Sequence, residues 1–212
     1  MPSFSEQRFK ELDERYRKNL VNSLLGARPA VLIATSNAHG KTNLAVFSQI
    51  VHVGASPPLC GILFRPDSVE RHTLTNIRET GWFSLNLLPS EFAEQVHQTS
   101  ARYGADISEF DAVGLEPEFH TDYLAPTVKH AHIKAICQLK EEFPIVSNGT
   151  ILVVGAIKWI DIEDERLRSD GSVNHYSGKS LAVCGLDDYA SLQQVARFSY
   201  AKPDRKPEKL EP

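Results

Sequence analysis

An Asn148-Gly149 pair divides two long runs, His132 to Val146 and Thr150 to Ile162, that are rich in β-branched and other apolar residues. Asn-Gly accepts the positive φ angles of a tight hairpin turn, so the pair predicts two long antiparallel strands joined at Ser147-Asn148-Gly149. A hairpin this long needs further strands to cover it, which constrains the chain toward an antiparallel sheet.

The remaining periodicity fits that frame. Ala30 to Thr35, Lys41 to Val53, Leu59 to Phe64 and Trp82 to Leu88 read as strands, with turns at Asn37-Ala38-His39-Gly40 and Ser56-Pro57-Pro58. Phe9, Leu12, Tyr16, Leu20 and Leu24 recur at helical spacing, predicting one helix over 3–25 with Ser3 and Glu6 as a capping box. Two more helices are expected from Ser68 to Glu79 and from Ser90 to Thr99, the latter capped by Ser90. Residues 100–130 and 166–190 read as irregular, and 201–212 as disordered. Strands joined by hairpins and interrupted by two helices do not alternate as βαβ units. The expected fold is therefore mainly β with helices (α+β), an antiparallel barrel. Its expected division is an N-terminal helix (1–26), a barrel domain (27–190) and a C-terminal tail (191–212).

Composition excludes several classes. The net charge of −4 and the lack of a basic run argue against nucleic-acid binding. No apolar stretch approaches the roughly 20 residues that span a bilayer, so no membrane association is expected. Cys60, Cys137 and Cys184 are far apart and odd in number, which suggests free thiols and a cytoplasmic setting. No Gly-rich dinucleotide or P-loop fingerprint occurs.

The stretch from Lys41 to Thr73 carries the chemistry. Arg65 ends a strand, and Arg71, His72 and Thr73 fall in the first turn of the helix expected from Ser68. Arginine, hydroxyl and free helix N–H groups together favour a phosphate. Small residues such as Ala45 and Ser48 let backbone approach a flat ring. Phe47, Phe64 and Trp82 could stack on such a ring or simply fill the core.

The run RPAVLIATSNAHGKTNLAVFSQI, then SPPLCGILF, then HTLTNIRETGWFSLNLL resembles the flavin reductase-like family of FMN-binding split-barrel proteins, of the flavoredoxin type. The matching positions are Arg28, Pro29, Thr35, Gly40, Asn43, Ala45, Ser48, Pro57, Pro58, Thr73, Asn76, Ile77, Phe83 and Asn86. The likeness runs over about residues 24–190. It implies a split β-barrel homodimer with FMN, less often FAD, at the subunit interface. NAD(P)H would be the hydride donor, and a partner oxygenase could accept the reduced flavin. By position, Asn43, Ala45, Val46, Phe47 and Ser48 would run beside the isoalloxazine with Phe64, while Arg65, Arg71, His72 and Thr73 would hold the phosphate. The segment Val183-Cys184-Gly185-Leu186-Asp187-Asp188-Tyr189 keeps one glycine and the tyrosine of the family's C-terminal pattern but lacks its arginine.

Hydride transfer to flavin N5 rests on proximity and needs no general base, so no catalytic acid or base is assigned. A non-catalytic flavin or haem-binding carrier or sensor is the alternative on the same fold. His130 and His132 lie two apart, as on one strand face, but neither Cys137 nor His120 completes a convincing metal set, and none is expected.

Overall fold

The computed structural model describes residues 1–210. Its first elements are two short helices, α1 (Glu6–Glu11) and α2 (Glu14–Ser23), rather than the single helix expected over 3–25. Leu12 is extended at φ −67°, ψ 143°, and Asp13 starts the second helix by accepting the N–H of Tyr16 at 3.0 Å. The cap of α1 is Ser5, which accepts the N–H of Arg8 at 3.2 Å, and not Ser3. An Asp that satisfies an orphan N–H favours a new start over continuation.

The strands that follow are β1 (Ala27–Pro29), β2 (Val31–Ser36), β3 (Thr42–Phe47), β4 (Ile50–Ala55) and β5 (Pro58–Phe64). Helix α3 (His72–Thr80) leads into β6 (Trp82–Leu87). Then come α4 (Ala93–Gln98), α5 (Glu109–Val113), β7 (Pro117–His120) and β8 (Tyr123–Val128). The long hairpin is β9 (Ile133–Ile145) and β10 (Thr150–Ile162), turning at Gly149 with φ +73°. The chain ends with β11 (Leu181–Cys184), β12 (Asp188–Ser191), β13 (Arg197–Phe198) and β14 (Lys209–Leu210).

Seven strands form one antiparallel sheet in the order β3-β2-β6-β9-β10-β5-β4. Consecutive strands β3 and β4 lie at opposite edges, so the single strand expected over 41–53 is two. Only Ser48 and Gln49 join them, a span of about 10 Å at most. The sheet must therefore roll until its edges nearly meet at this link, and Gln49 O already continues the β4–β5 ladder by accepting the N–H of Leu63 at 3.0 Å. This is the split barrel: joined at one end and open along the rest of β3 and β4.

Alternation divides the buried side chains of β2. Val31 and Ile33 face one core with Ile62, Phe64, Leu74, Ile77 and Phe83. Leu32 and Ala34 face a second core with Leu44, Val96, Phe110 and Val128. Gly155 on β10 admits the ring of Phe83, because a Cβ there would lie 2.4 Å from Phe83 Cζ. Cys60 and Cys137 are free, buried thiols 3.6 Å apart, and Cys184 is a half-buried free thiol.

Several irregular predictions resolve into structure. Residues 100–130 hold α5 and the β7–β8 hairpin, and β11 and β12 build a second sheet with β1. Ser90 does not cap the helix after β6. Its N–H is engaged by Lys179 O at 3.0 Å, and a tight turn at Ser90–Phe92 precedes α4. Within 201–212, expected to be disordered, β14 pairs with β13, and Arg197 of β13 contacts Asp170. The last two residues of that prediction, 211–212, lie outside the described residues. Among the described residues, no helix is long and apolar enough to cross a membrane.

Candidate functional site

A cleft of about 620 Å³ lies along the free edge of β3. The backbone of Leu44 points off the sheet, and its N–H donates to the buried Glu109 Oε2 at 2.9 Å. Strand alternation puts the N–H and C=O of Val46 on the same free edge, open to the cleft. Asn43, Ala45, Val46 and Phe47 of β3, and Ser48 just beyond it, all line the cleft.

The opposite wall is the start of α3. This helix begins at His72 and not at Ser68, so Arg71 is its N-cap residue, at φ −128° and ψ 89°. Ser68 to Arg71 carry little apolar surface to bury, and Val69 is 47% exposed, so no packing supports an earlier turn. The later start leaves His72 and Thr73 as the first two helical residues. Thr75 N–H is the first to find a helical acceptor, Arg71 O at 2.9 Å, so the N–H groups of His72, Thr73 and Leu74 have none within the helix.

Side chains complete this wall. Thr73 Oγ1 accepts from Asn43 Nδ2 at 2.9 Å, which leaves the hydroxyl proton free to be donated elsewhere. Asn76 Nδ2 donates to Thr35 Oγ1 at 3.0 Å and locks α3 against β2. Arg71 Nε bonds Pro66 O at 3.2 Å, folding the preceding loop beneath the guanidinium. His72 Nε2 stands 3.8 Å from Glu70 Oε2. Arg65 and Arg71 line the cleft and form no ion pair among the described residues. Two unpaired guanidiniums, three helix N–H groups and a hydroxyl donor make an anion site whose chemistry suits a phosphate.

The aromatic candidates separate. Phe64 is only 1% exposed, packs edge-on against Phe47 with ring centroids 5.0 Å apart, and belongs to the core, so it borders the cleft without offering it a ring face. Trp82 lies outside the cleft lining, against Tyr123 at 5.4 Å. The histidines also separate: His130 stacks on Phe92 at 5.8 Å, and His120 packs at a tilt against Trp159 at 4.6 Å. His132 is buried, with Nε2 2.9 Å from Ser180 Oγ. The period-two reading of His130 and His132 does not hold, because β9 begins only at Ile133. Burial, and then the nearby Arg166, lower the pKa of His132 to about 4.

Sequence reasoning missed the third wall. The segment Ser100 to Ala105 brings Arg102 and Tyr103, and α5 brings Glu109. Gln98 Nε2 donates to Tyr103 Oη at 2.9 Å and fixes that segment to α4. Its only sequence signal was an unusually long stretch without periodicity. From the β11–β12 turn, Val183, Gly185, Leu186 and Tyr189 also face the cleft, so the departure from the family's C-terminal pattern falls on the site.

The comparisons with known proteins fit this geometry. A crystal structure from Shewanella frigidimarina NCIMB 400, described as a flavin reductase with split barrel domain, is 39% identical with a TM-score of 0.91. The match covers 95% of this chain and 100% of that one. Nitrilotriacetate monooxygenase component B from Bacillus cereus shares the fold at 24% identity and a TM-score of 0.79, over 92% and 96% of the two chains. An FMN-binding protein from Thermus thermophilus does so at 17% and 0.70, over 82% and 93%. Residues 26–180 match the model of the flavin reductase like domain, and the chain belongs to that family.

Proposed function

We propose that the protein is a flavin-dependent oxidoreductase that holds the FMN moiety in the cleft between β3 and α3 and takes hydride from NAD(P)H. The observation that carries this reading is the Asn43–Thr73 hydrogen bond, which joins a free strand edge and an anion-binding helix start in one cleft. A flavin, when bound, would supply an N5 atom that accepts hydride from a nicotinamide and passes electrons on.

The chain's own groups divide the work. Arg71, Arg65, Thr73 and the first N–H groups of α3 hold the phosphate. The free N–H and C=O of Val46 read the polar rim of the ring, and Ala45 and Ser48 keep the backbone close to it. Tyr103 and Tyr189 narrow the cleft and exclude water. No side chain is needed as an acid or base, since proximity does most of the work of hydride transfer.

The likeness to a monooxygenase component B supports delivery of electrons to a partner oxygenase. Val51 and Val53 on β4, with Phe143 and Val146 at the tip of the long hairpin, are exposed apolar groups that support packing of a second copy. The decisive experiment follows NADH and NADPH oxidation at 340 nm with and without FMN. Flavin-dependent oxidation of either nucleotide is expected. A protein that binds flavin but oxidises neither would be a carrier, and light scattering that finds only monomer would remove the dimer.

A further inference from the structure

Glu109 lines the cleft yet is only 6% exposed, and it forms no ion pair among the described residues. Burying a charge without a counter-ion is costly, so hydrogen-bond donors must hold it. The chain supplies one, the N–H of Leu44, which donates to Oε2 at 2.9 Å. Oε1 has no donor within the chain and is not shut off from the cleft. The side chain is also anchored on both sides. Ser108 bonds Thr42 Oγ1 of β3 at 2.8 Å, and Phe110 is buried in the second core. A fixed, buried carboxylate with a free oxygen calls for a ligand that brings donors.

Position along β3 decides which part of the ligand Glu109 meets. Asn43, one residue before Leu44, bonds Thr73 at the phosphate end. Val46, two residues after Leu44, offers the next free edge groups, about 7 Å further along the strand. Glu109 therefore stands between the phosphate end and the ring end. A carboxylate suits neither end, since it repels a phosphate and the electron-rich N1–O2 edge of an isoalloxazine. It suits neutral hydroxyl donors, and in FMN the part between phosphate and ring is the hydroxylated ribityl chain. We infer that Glu109 Oε1 accepts a hydrogen bond from a ribityl hydroxyl and makes the cleft selective for a flavin with a hydroxylated side chain. The inference rests on reading the cleft as the site of FMN. The Leu44 N–H cannot serve the ligand here, because Glu109 Oε2 already holds it.

The test is fluorescence titration of the purified full chain with riboflavin and with lumiflavin, in which a methyl group replaces the ribityl chain. Neither carries a phosphate, so the start of α3 does not enter the comparison. Wild type is expected to bind riboflavin about tenfold tighter than lumiflavin, the worth of one charge-assisted hydrogen bond. Glu109→Gln keeps a carbonyl for the Leu44 N–H but turns an amide donor toward the ligand. It should lose most of the preference for riboflavin and hold lumiflavin within about twofold of wild type. Its urea midpoint should stay close to that of wild type, because the Leu44 bond survives. Equal wild-type affinities for the two flavins, or a preference that survives Glu109→Gln, would overturn the assignment. Equal weakening of both ligands in the variant would also overturn it and leave Glu109 a structural group. If wild type binds neither flavin, the flavin reading of the cleft falls as well.

Discussion

Asn43 Nδ2 donates to Thr73 Oγ1 at 2.9 Å, and both residues are buried. One comes from the free edge of the barrel and the other from the first turn of α3. The bond fixes the distance between a backbone edge able to read a ring and a helix start able to hold a phosphate. It also dictates that the Thr73 hydroxyl points its proton away from Asn43.

Asn43→Ala should therefore act on stability and binding together. Losing one partner of a buried hydrogen bond costs about 1–3 kcal/mol. Urea denaturation should show a loss of that size, and FMN affinity should fall about tenfold because Thr73 is no longer oriented. Normal FMN affinity in a destabilised variant would mean that the bond serves only the fold.

Gly155 is a packing position. A Cβ there would meet Phe83 Cζ at 2.4 Å and Phe83 Cε1 at 2.7 Å, and Phe83 is fully buried and cannot swing away. Gly155→Ala should destabilise by about 1–3 kcal/mol, as overpacking does. Combining it with Phe83→Leu should cost less than the sum of the two single changes, since the clash is with that ring. Thermal melts of the four proteins in the cycle check this.

His132 makes stability depend on pH. Burial holds its pKa near 4 in the folded chain, below the ordinary value of 6.5. The unfolded chain binds a proton there first as the pH falls, so stability is kept above about 6.5 and lost between 6.5 and 4. The loss from this residue is up to about 3 kcal/mol at the acid end. His132→Gln, which can still bond Ser180, should flatten the dependence in that window when unfolding is measured from pH 7 to pH 4. An unchanged slope would assign the acid sensitivity to other groups.

Much of the fold was legible because its signals are local. Asn148-Gly149 dictates a hairpin whatever surrounds it, and the short apolar run from Ala30 to Thr35 marks a buried strand. The break at Ser48-Gln49 was not legible, because nothing local ends a strand there. The chain leaves one edge of the sheet for the other only because the sheet rolls. The start of α3 at His72 likewise depends on which residues find something to pack against. In the site, the ten positions named from sequence all line the cleft, but the ring of Phe64 belongs to the core. Arg102, Tyr103 and Glu109 were hidden in a segment whose order comes from long-range bonds such as Leu44 to Glu109.

The most direct test of the cleft is to titrate wild type and Arg71→Ala with FMN and with riboflavin, which lacks the phosphate. Wild type should bind FMN about 100-fold tighter than riboflavin, corresponding to roughly 3 kcal/mol of charge-assisted contacts. Arg71→Ala should lose about 1–3 kcal/mol of FMN affinity and bind riboflavin as wild type does. Equal wild-type affinities for FMN and riboflavin, or an FMN dissociation constant unmoved by the substitution, would contradict a phosphate held at the start of α3.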